Sequence, residues 1–181
     1  MSSPSGPSAY LVREAAQGDL EAIARFEVEI AVVSFGADAI TDLALHRKRV
    51  SGALGKPAEV TLIAAARQEP GTALGWAWMS ARTNSLTGAR YGNFRSLAVA
   101  EVPGRSLIGE LLLAAVLRAA DESGFTQLTG KVHARNLGMR ALYRKFGFEA
   151  THVTMERHGP GGASGTTGTD RAAGPGGASP A

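Results

Sequence analysis

Cysteine is absent from the 181 residues, which removes disulfides, thiolate metal sites and a cysteine nucleophile from consideration. No apolar run approaches the ~20 residues that a membrane-spanning helix requires. Met1 to Ala9 is rich in Ser and Pro and lacks both a basic start and an apolar centre, so it does not read as a secretory signal. A cytoplasmic location is the default these absences leave. Net charge is also small: 19 Lys and Arg against 16 Asp and Glu leave +3, which permits phosphate contacts without demanding nucleic acid. The basic run His46-Arg47-Lys48-Arg49 has no interleaved aromatic residue, which argues further against a nucleic-acid surface. Most of that run reads as a solvated helix face, part of which could favour an acidic substrate.

Large side chains are missing from the end of the chain. Gly159 to Ala181 contains no aromatic or large aliphatic residue and cannot offset its ordering entropy by burial. The expectation is a disordered segment over 1–9, one domain over 10–158 and a disordered tail over 159–181. A hydrophobic content of 44% is sufficient for a single well-buried domain of this size. There is no internal repeat.

Within the domain, hydrophobic periods change in a definite order. Tyr10 to Arg13 reads as a short edge strand. Asp19 stands where a cap opens a helix with Leu20, Ile23, Ala24, Val28 and Ala31 on or near one face. A second helix is expected over Asp42 to Leu54, capped by Thr41, with Leu43, Val50 and Leu54 inward. Glu59 to Ala66 and Ala73 to Ala81 read as a hairpin around Glu69-Pro70-Gly71, with Trp76 and Trp78 on one side of the second strand to pack against a helix. Arg90 to Val99 is a further strand. The longest helix runs from about Leu107 to Ser123 and stops at Gly124. Thr126 to His133 is a strand, Leu137 to Lys145 a helix, and Phe148 to Glu156 a last strand.

The stretch Asn136 to Phe148, N-L-G-M-R-A-L-Y-R-K-F-G-F, sets an amide at Asn136 and a phenol at Tyr143 about two helical turns apart. They share a face of a short helix that stops at Gly147. Upstream, Leu97-Ala98-Val99 is followed by Gly104-Arg105-Ser106-Leu107-Ile108-Gly109, which opens the long helix. Backbone N–H groups converging at such a terminus suit a pyrophosphate, Arg105 could add a charge-assisted bond, and Gly109 lets a ligand approach the backbone. The same residues also have plainer readings. Gly and Ser are ordinary capping material, Arg105 a solvated charge, Asn136 an N-cap and Tyr143 a half-buried core aromatic.

Together these segments resemble the acyl-CoA-binding core of the GNAT acetyltransferases. The resemblance implies an α/β (α+β) fold, a mixed and mostly antiparallel central sheet with about four helices in the order β-α-α-β-β-β-α-β-α-β. It implies an N-acetyltransferase that uses acetyl-CoA as co-substrate, without metal or covalent enzyme intermediate. Leu97, Ala98 and Val99 would offer unpaired main-chain groups to the pantetheine arm. Arg105, Ser106, Leu107, Ile108, Gly109 and Glu110 would hold the phosphates. In the family pattern this loop begins with Arg or Gln and carries a Gly three residues later, positions held here by Gly104 and Leu107, so leucine adds bulk beside the phosphates. Asn136 would bond the cofactor arm. Tyr143 would lie near the acetyl sulfur, where a phenol is a suitable donor to the departing thiolate.

The general base is less fixed. Peptide N-terminal acetyltransferases of the family place a glutamate five residues before the motif asparagine, and that position is Lys131. His133, two residues along the expected strand, would share its face and has a suitable ordinary pKa. Glu101 and Glu29 are further carboxylates within reach of a substrate cleft. Acceptors implied are a small-molecule amine, an antibiotic-like compound or a peptide N-terminus, the last disfavoured by Lys131. A homodimer is an open partner class, and membrane partners are not implied. The rival reading keeps the fold and the acyl-CoA site but not the chemistry, as a sensor or partner module.

Overall fold

The computed structural model describes residues 7–134, 136–152, 155 and 157. The chain divides into two units, residues 1–148 and residues 149–181. In the first, the elements are β1 (Tyr10–Glu14), α1 (Leu20–Phe35), α2 (Leu43–Ser51), β2 (Glu59–Ala66), β3 (Gly75–Thr83) and β4 (Arg90–Val99). They are followed by α3 (Arg105–Glu122), β5 (Leu128–Gly130) and α4 (Leu137–Lys145). The described residues of the second unit form neither helix nor strand.

The five strands lie in chain order in one sheet, antiparallel from β1 to β4 and parallel between β4 and β5. The parallel step is what the long helix α3 makes possible, since parallel neighbours need a crossover. Alternation along the strands then divides the core. Ala77, Met79, Phe94 and Val99 face α3 and α4, where Ile108, Leu112, Leu113, Val116 and Tyr143 meet them. On the opposite face Ile63, Trp76 and Trp78 pack beneath Leu20, Ile23 and Phe26 of α1 and Val50 of α2. The mixed, mostly antiparallel sheet with four α-helices is the architecture expected from the sequence.

Several local details differ from expectation. Pro7–Ala9, assigned to the unstructured lead, forms a 3-10 turn, held where Arg67 Nε donates to the Ser8 carbonyl at 2.8 Å. Asp42 rather than Thr41 caps α2, its Oδ1 accepting from the N–H of Ala44 at 2.8 Å and of Leu45 at 3.3 Å. Leu43 is exposed, not inward, while Val50 is fully buried. Asp19 precedes α1 as foreseen, but its carboxylate turns back to the Arg13 guanidinium at 2.7 and 2.8 Å and to the Ala16 N–H at 2.8 Å. Gly124 and Gly147, both at positive φ, end α3 and α4 as expected. The last expected strand is not formed at 148–152; Val153, Thr154 and Glu156 lie outside the described residues, as does the tail from 159 to 181.

One irregularity positions everything that follows. In the β3–β4 pair, Trp78 faces Ser96 but Met79 faces Phe94, so Arg95 is an extra residue on β4. Such a bulge bends its strand and stops pairing. Strand β5 accordingly joins β4 only from Gly92 to Phe94, and it is three residues long instead of the eight from Thr126 to His133. Lys131, Val132 and His133 continue as irregular chain.

Candidate functional site

Among the described residues, the edge of β4 that faces β5 carries no strand partner beyond Phe94. A cleft of about 770 Å³ opens there between β4, the start of α3 and α4. Its β4 wall runs from Arg95 to Val99, so Leu97, Ala98 and Val99 all line it. An unpaired strand edge inside a cleft is a ready partner for an extended ligand bearing amide groups.

The second wall is the N-terminus of α3. Gly104 precedes it with φ 84°, and a Cβ there would meet the Tyr10 hydroxyl at 2.5 Å, so both backbone and space require glycine at this position. The Tyr10 hydroxyl donates to the Pro103 carbonyl at 3.1 Å, tying the loop to β1. Arg105, Ser106, Gly109 and Glu110 line the cleft. Leu107 and Ile108, foreseen as cofactor contacts, instead turn into the α3 core. The leucine bulk expected beside a phosphate therefore points away from it, because the helix places residue 107 on its inner face. Gly109 is buried, and a methyl there would make ordinary contacts with Leu142 and Val99. Among the described residues the N–H groups of Ser106 and Leu107 donate to no backbone partner, and Arg105 adds a cation in the first turn, where the helix dipole disfavours one. Both features suit an anion. Arg105 pairs with Glu101 on the surface, an exposed contact that costs little to exchange.

The third wall is α4. Asn136 caps it, Oδ1 accepting from the Met139 N–H at 3.0 Å, and the same residue lines the cleft. Its side-chain NH2 makes no hydrogen bond among the described residues, so capping and ligand contact are compatible. Two turns on, Tyr143 is buried, stacked on Phe148 at 4.7 Å between centroids and tilted against Phe94 at 6.0 Å. Burial pushes its phenol up to about 12, so it keeps its proton at neutral pH and is available as a donor. Its hydroxyl makes no hydrogen bond among the described residues. Lys145 reaches across to Glu110 at 2.5 Å and joins α4 to α3.

The candidate bases lie differently. His133 lines the cleft and is exposed, but it stands in the irregular chain after β5. The shared-face relation to Lys131 therefore fails as a strand argument, although both residues line the cleft. Glu29 on α1 also lines it. Glu101 is 83% exposed and engaged with Arg105, and it does not line the cleft.

Three charged residues near the cleft were not foreseen. Arg95, projected by the bulge, lies 4.0 Å from the centroid of Trp78 and lines the cleft. Glu27, 3% exposed, accepts from Trp76 Nε1 at 2.8 Å and pairs with Arg49. Glu59 accepts from Trp78 Nε1 at 2.7 Å and from the Ser80 hydroxyl. The basic run on α2 is thus only partly solvated, since His46 is buried and Arg49 is held at Glu27.

Residues 22–148 match the family described as the Acetyltransferase (GNAT) family. The chain belongs to this family. Solved structures share its fold at low identity. The BH1408 protein of Bacillus halodurans, in a mutant form, is 18% identical with a TM-score of 0.72 over 82% of this chain and 98% of that one. Aminoglycoside antibiotic 6'-N-acetyltransferase AAC(6')-Ih from Acinetobacter baumannii is 14% identical with a TM-score of 0.62, over 83% and 97% of the two chains. A transcriptional regulator from Bacillus halodurans is 15% identical with a TM-score of 0.64, over 82% and 99%. No curated protein sequence matches the chain. The family match makes the protein an acetyltransferase of the GNAT type. Among the described residues no helix is long and apolar enough to cross a membrane.

Proposed function

We propose that this GNAT protein transfers the acetyl group of acetyl-CoA directly to a primary amine of a small molecule or peptide. The observation that carries the reading is the separation of β4 from β5. It leaves the main chain of residues 95–99 open in the same cleft as the α3 N-terminus and Tyr143. Acetyl-CoA, when bound, supplies an activated thioester. In this reading Leu97, Ala98 and Val99 bond the pantetheine arm through their backbone. The free N–H groups of Ser106 and Leu107, with Arg105, hold the diphosphate. Asn136 bonds the arm from the other side while it caps α4.

The chemistry asked of the chain is proton removal from the acceptor nitrogen and proton delivery to the departing sulfur. The acceptor ammonium must lose a proton before its nitrogen can attack, and His133 or Glu29, both on the cleft wall, takes it directly or through water. The departing sulfur must gain one, and Tyr143 donates it. The nitrogen loses a second proton as the amide forms; one of the two restores the Tyr143 phenol and the other passes to solvent, so the protein ends unchanged. A cytoplasmic setting, where acetyl-CoA and amines coexist, fits this use.

The test is thiol release from acetyl-CoA in the presence of a panel of primary amines. An amine-dependent rate above background supports transfer. Saturable acyl-CoA binding with thiol release at background for every amine would instead make the protein a binding module of the same fold.

A further inference from the structure

Arg95 sits on the α1 side of the cleft at the head of the open β4 segment. Its side chain is exposed to the cleft. Arg49 and Arg82, its basic neighbours, are each within reach of a carboxylate, Arg49 at Glu27 and Arg82 at 4.0 Å from Glu59. Arg95 makes neither ion pair nor hydrogen bond among the described residues, and its guanidinium lies over the Trp78 ring, 4.0 Å from the centroid. Burial first, and then the charges of Arg82 and Arg49, pull its pKa below the ordinary value against the opposing pull of Glu59 and Glu27. An arginine nonetheless stays charged. Three guanidiniums and two carboxylates around the tryptophan pair therefore leave one positive charge without a counterpart.

The bulge explains how it is held there. In an unbroken strand Phe94 and Ser96 would face one side and Arg95 the other. The extra residue keeps Phe94 in the α3 core and turns both Arg95 and Ser96 toward the tryptophans. Stacking on Trp78 leaves the edge of the guanidinium, with its parallel N–H donors, free to accept a planar oxyanion. A single uncompensated charge between Glu27 and Glu59 suits a monoanion better than a phosphate dianion, which the two carboxylates would repel.

We propose that Arg95, backed by Trp78, is a specificity residue that binds a carboxylate of the acceptor. The substrate class is then an amine that also carries a carboxyl group, such as an amino acid or a peptide with an acidic group near its amine. A polycationic acceptor is disfavoured at this wall. The amine half of the assignment rests on the acetyl-transfer reading, whereas carboxylate binding does not and can be measured without it.

Trp76 and Trp78 are the two tryptophans of the chain, so intrinsic fluorescence reports on this wall directly. The probes are a series of N-acetylated amino acids and the same compounds as carboxamides, titrated into the full chain, into Arg95→Gln and into Arg95→Lys. The carboxylates should reach half-saturation at concentrations about 10- to 100-fold below the carboxamides, as expected for a charge-assisted bond. The difference should vanish in Arg95→Gln and partly survive in Arg95→Lys. Equal responses to both series, no response to either, or a preference that persists in Arg95→Gln would overturn the assignment. Calorimetric titration of acetyl-CoA into the same proteins separates the two claims. If acetyl-CoA fails to bind while the carboxylate preference holds, the transfer reading falls and the anion site stands. If acetyl-CoA binds and the preference is absent, the reverse follows.

Discussion

The hydroxyl of Tyr143 lies against the backbone of Gly130, close enough that a Cβ on residue 130 would come within 2.6 Å of it. The ring cannot swing away, because Phe148 and Phe94 hold it on either side. Glycine at the end of β5 is therefore the space in which the phenol sits, and it fixes where the phenol meets the cleft. Gly130→Ala should cost about 1–3 kcal/mol of stability through overpacking. It should also slow thiol release while acetyl-CoA affinity changes little. Thermal unfolding and turnover of the same variant check both halves.

Tyr143→Phe keeps the stacking and removes the donor. Turnover should fall about 10²- to 10⁴-fold, the range of positioned acid catalysis, with cofactor affinity nearly intact. Because the folded phenol titrates at about 12, the parent rate should show no loss from this group as pH approaches 10. A limb near 10 that disappears in Tyr143→Phe would contradict this. The sign for stability follows from the same shift. The unfolded phenol ionises near pH ~10 while the folded one holds its proton, so stability should decline between pH ~10 and ~12. Tyr143→Phe should flatten that decline.

Asn136 has two jobs that one substitution separates. Asn136→Ala removes the bond to the Met139 N–H and should cost about 1 kcal/mol of stability. Asn136→Ser keeps a capping oxygen but not the amide NH2. If the amide holds the cofactor, both variants weaken acetyl-CoA binding while only the alanine variant loses stability. Unchanged affinity in Asn136→Ser would leave the residue as a cap.

Asp19 gives an acid-linked stability term far from the cleft. The Arg13 guanidinium, bound through both nitrogens, holds its carboxyl below the usual carboxylate range, and the Ala16 N–H adds to this. A depressed folded pKa stabilises the fold above the unfolded value of about 3.9 and stops doing so as pH falls through the lower folded value. Asp19→Asn should therefore lower the melting temperature at pH 7 and have a smaller effect near pH 2. A hydrogen-bonded charge of this kind contributes about 1.5–3 kcal/mol.

Much of this arrangement is legible in the sequence. The spacing of Leu111, Leu112, Ala115 and Ala119 gives α3 within two residues at its start, and α4 runs over Leu137–Lys145 as read. Asn136, Tyr143, Arg105, Ser106, Gly109 and Glu110 do meet in one cleft with Leu97 to Val99. A loop pattern does not say on which side of α3 each residue falls, and the helix turns the side chains of Leu107 and Ile108 inward.

The bulge was missed although it leaves a trace. Apolar residues in β4 fall at Phe94, Leu97 and Val99, so one interval of three interrupts the alternation. That interval marks an inserted residue, which is Arg95. Glu27 leaves a similar trace, a carboxylate within the inward stripe of Ile23, Ala24, Phe26 and Ile30. Its partners could not be read, because Trp76 and Arg49 come from distant elements that only the packed fold brings together. The length of β5 was likewise set by the bulge on its neighbour and not by its own residues.

The most direct measurement is a calorimetric titration of acetyl-CoA, and of free CoA, into the purified protein. Saturable micromolar binding of both, weakened by Asn136→Ser, is the outcome that follows from an open β4 edge and a free α3 N-terminus acting as one site. No detectable heat at several temperatures would mean that the cleft does not hold the cofactor, and the site assignment would fail.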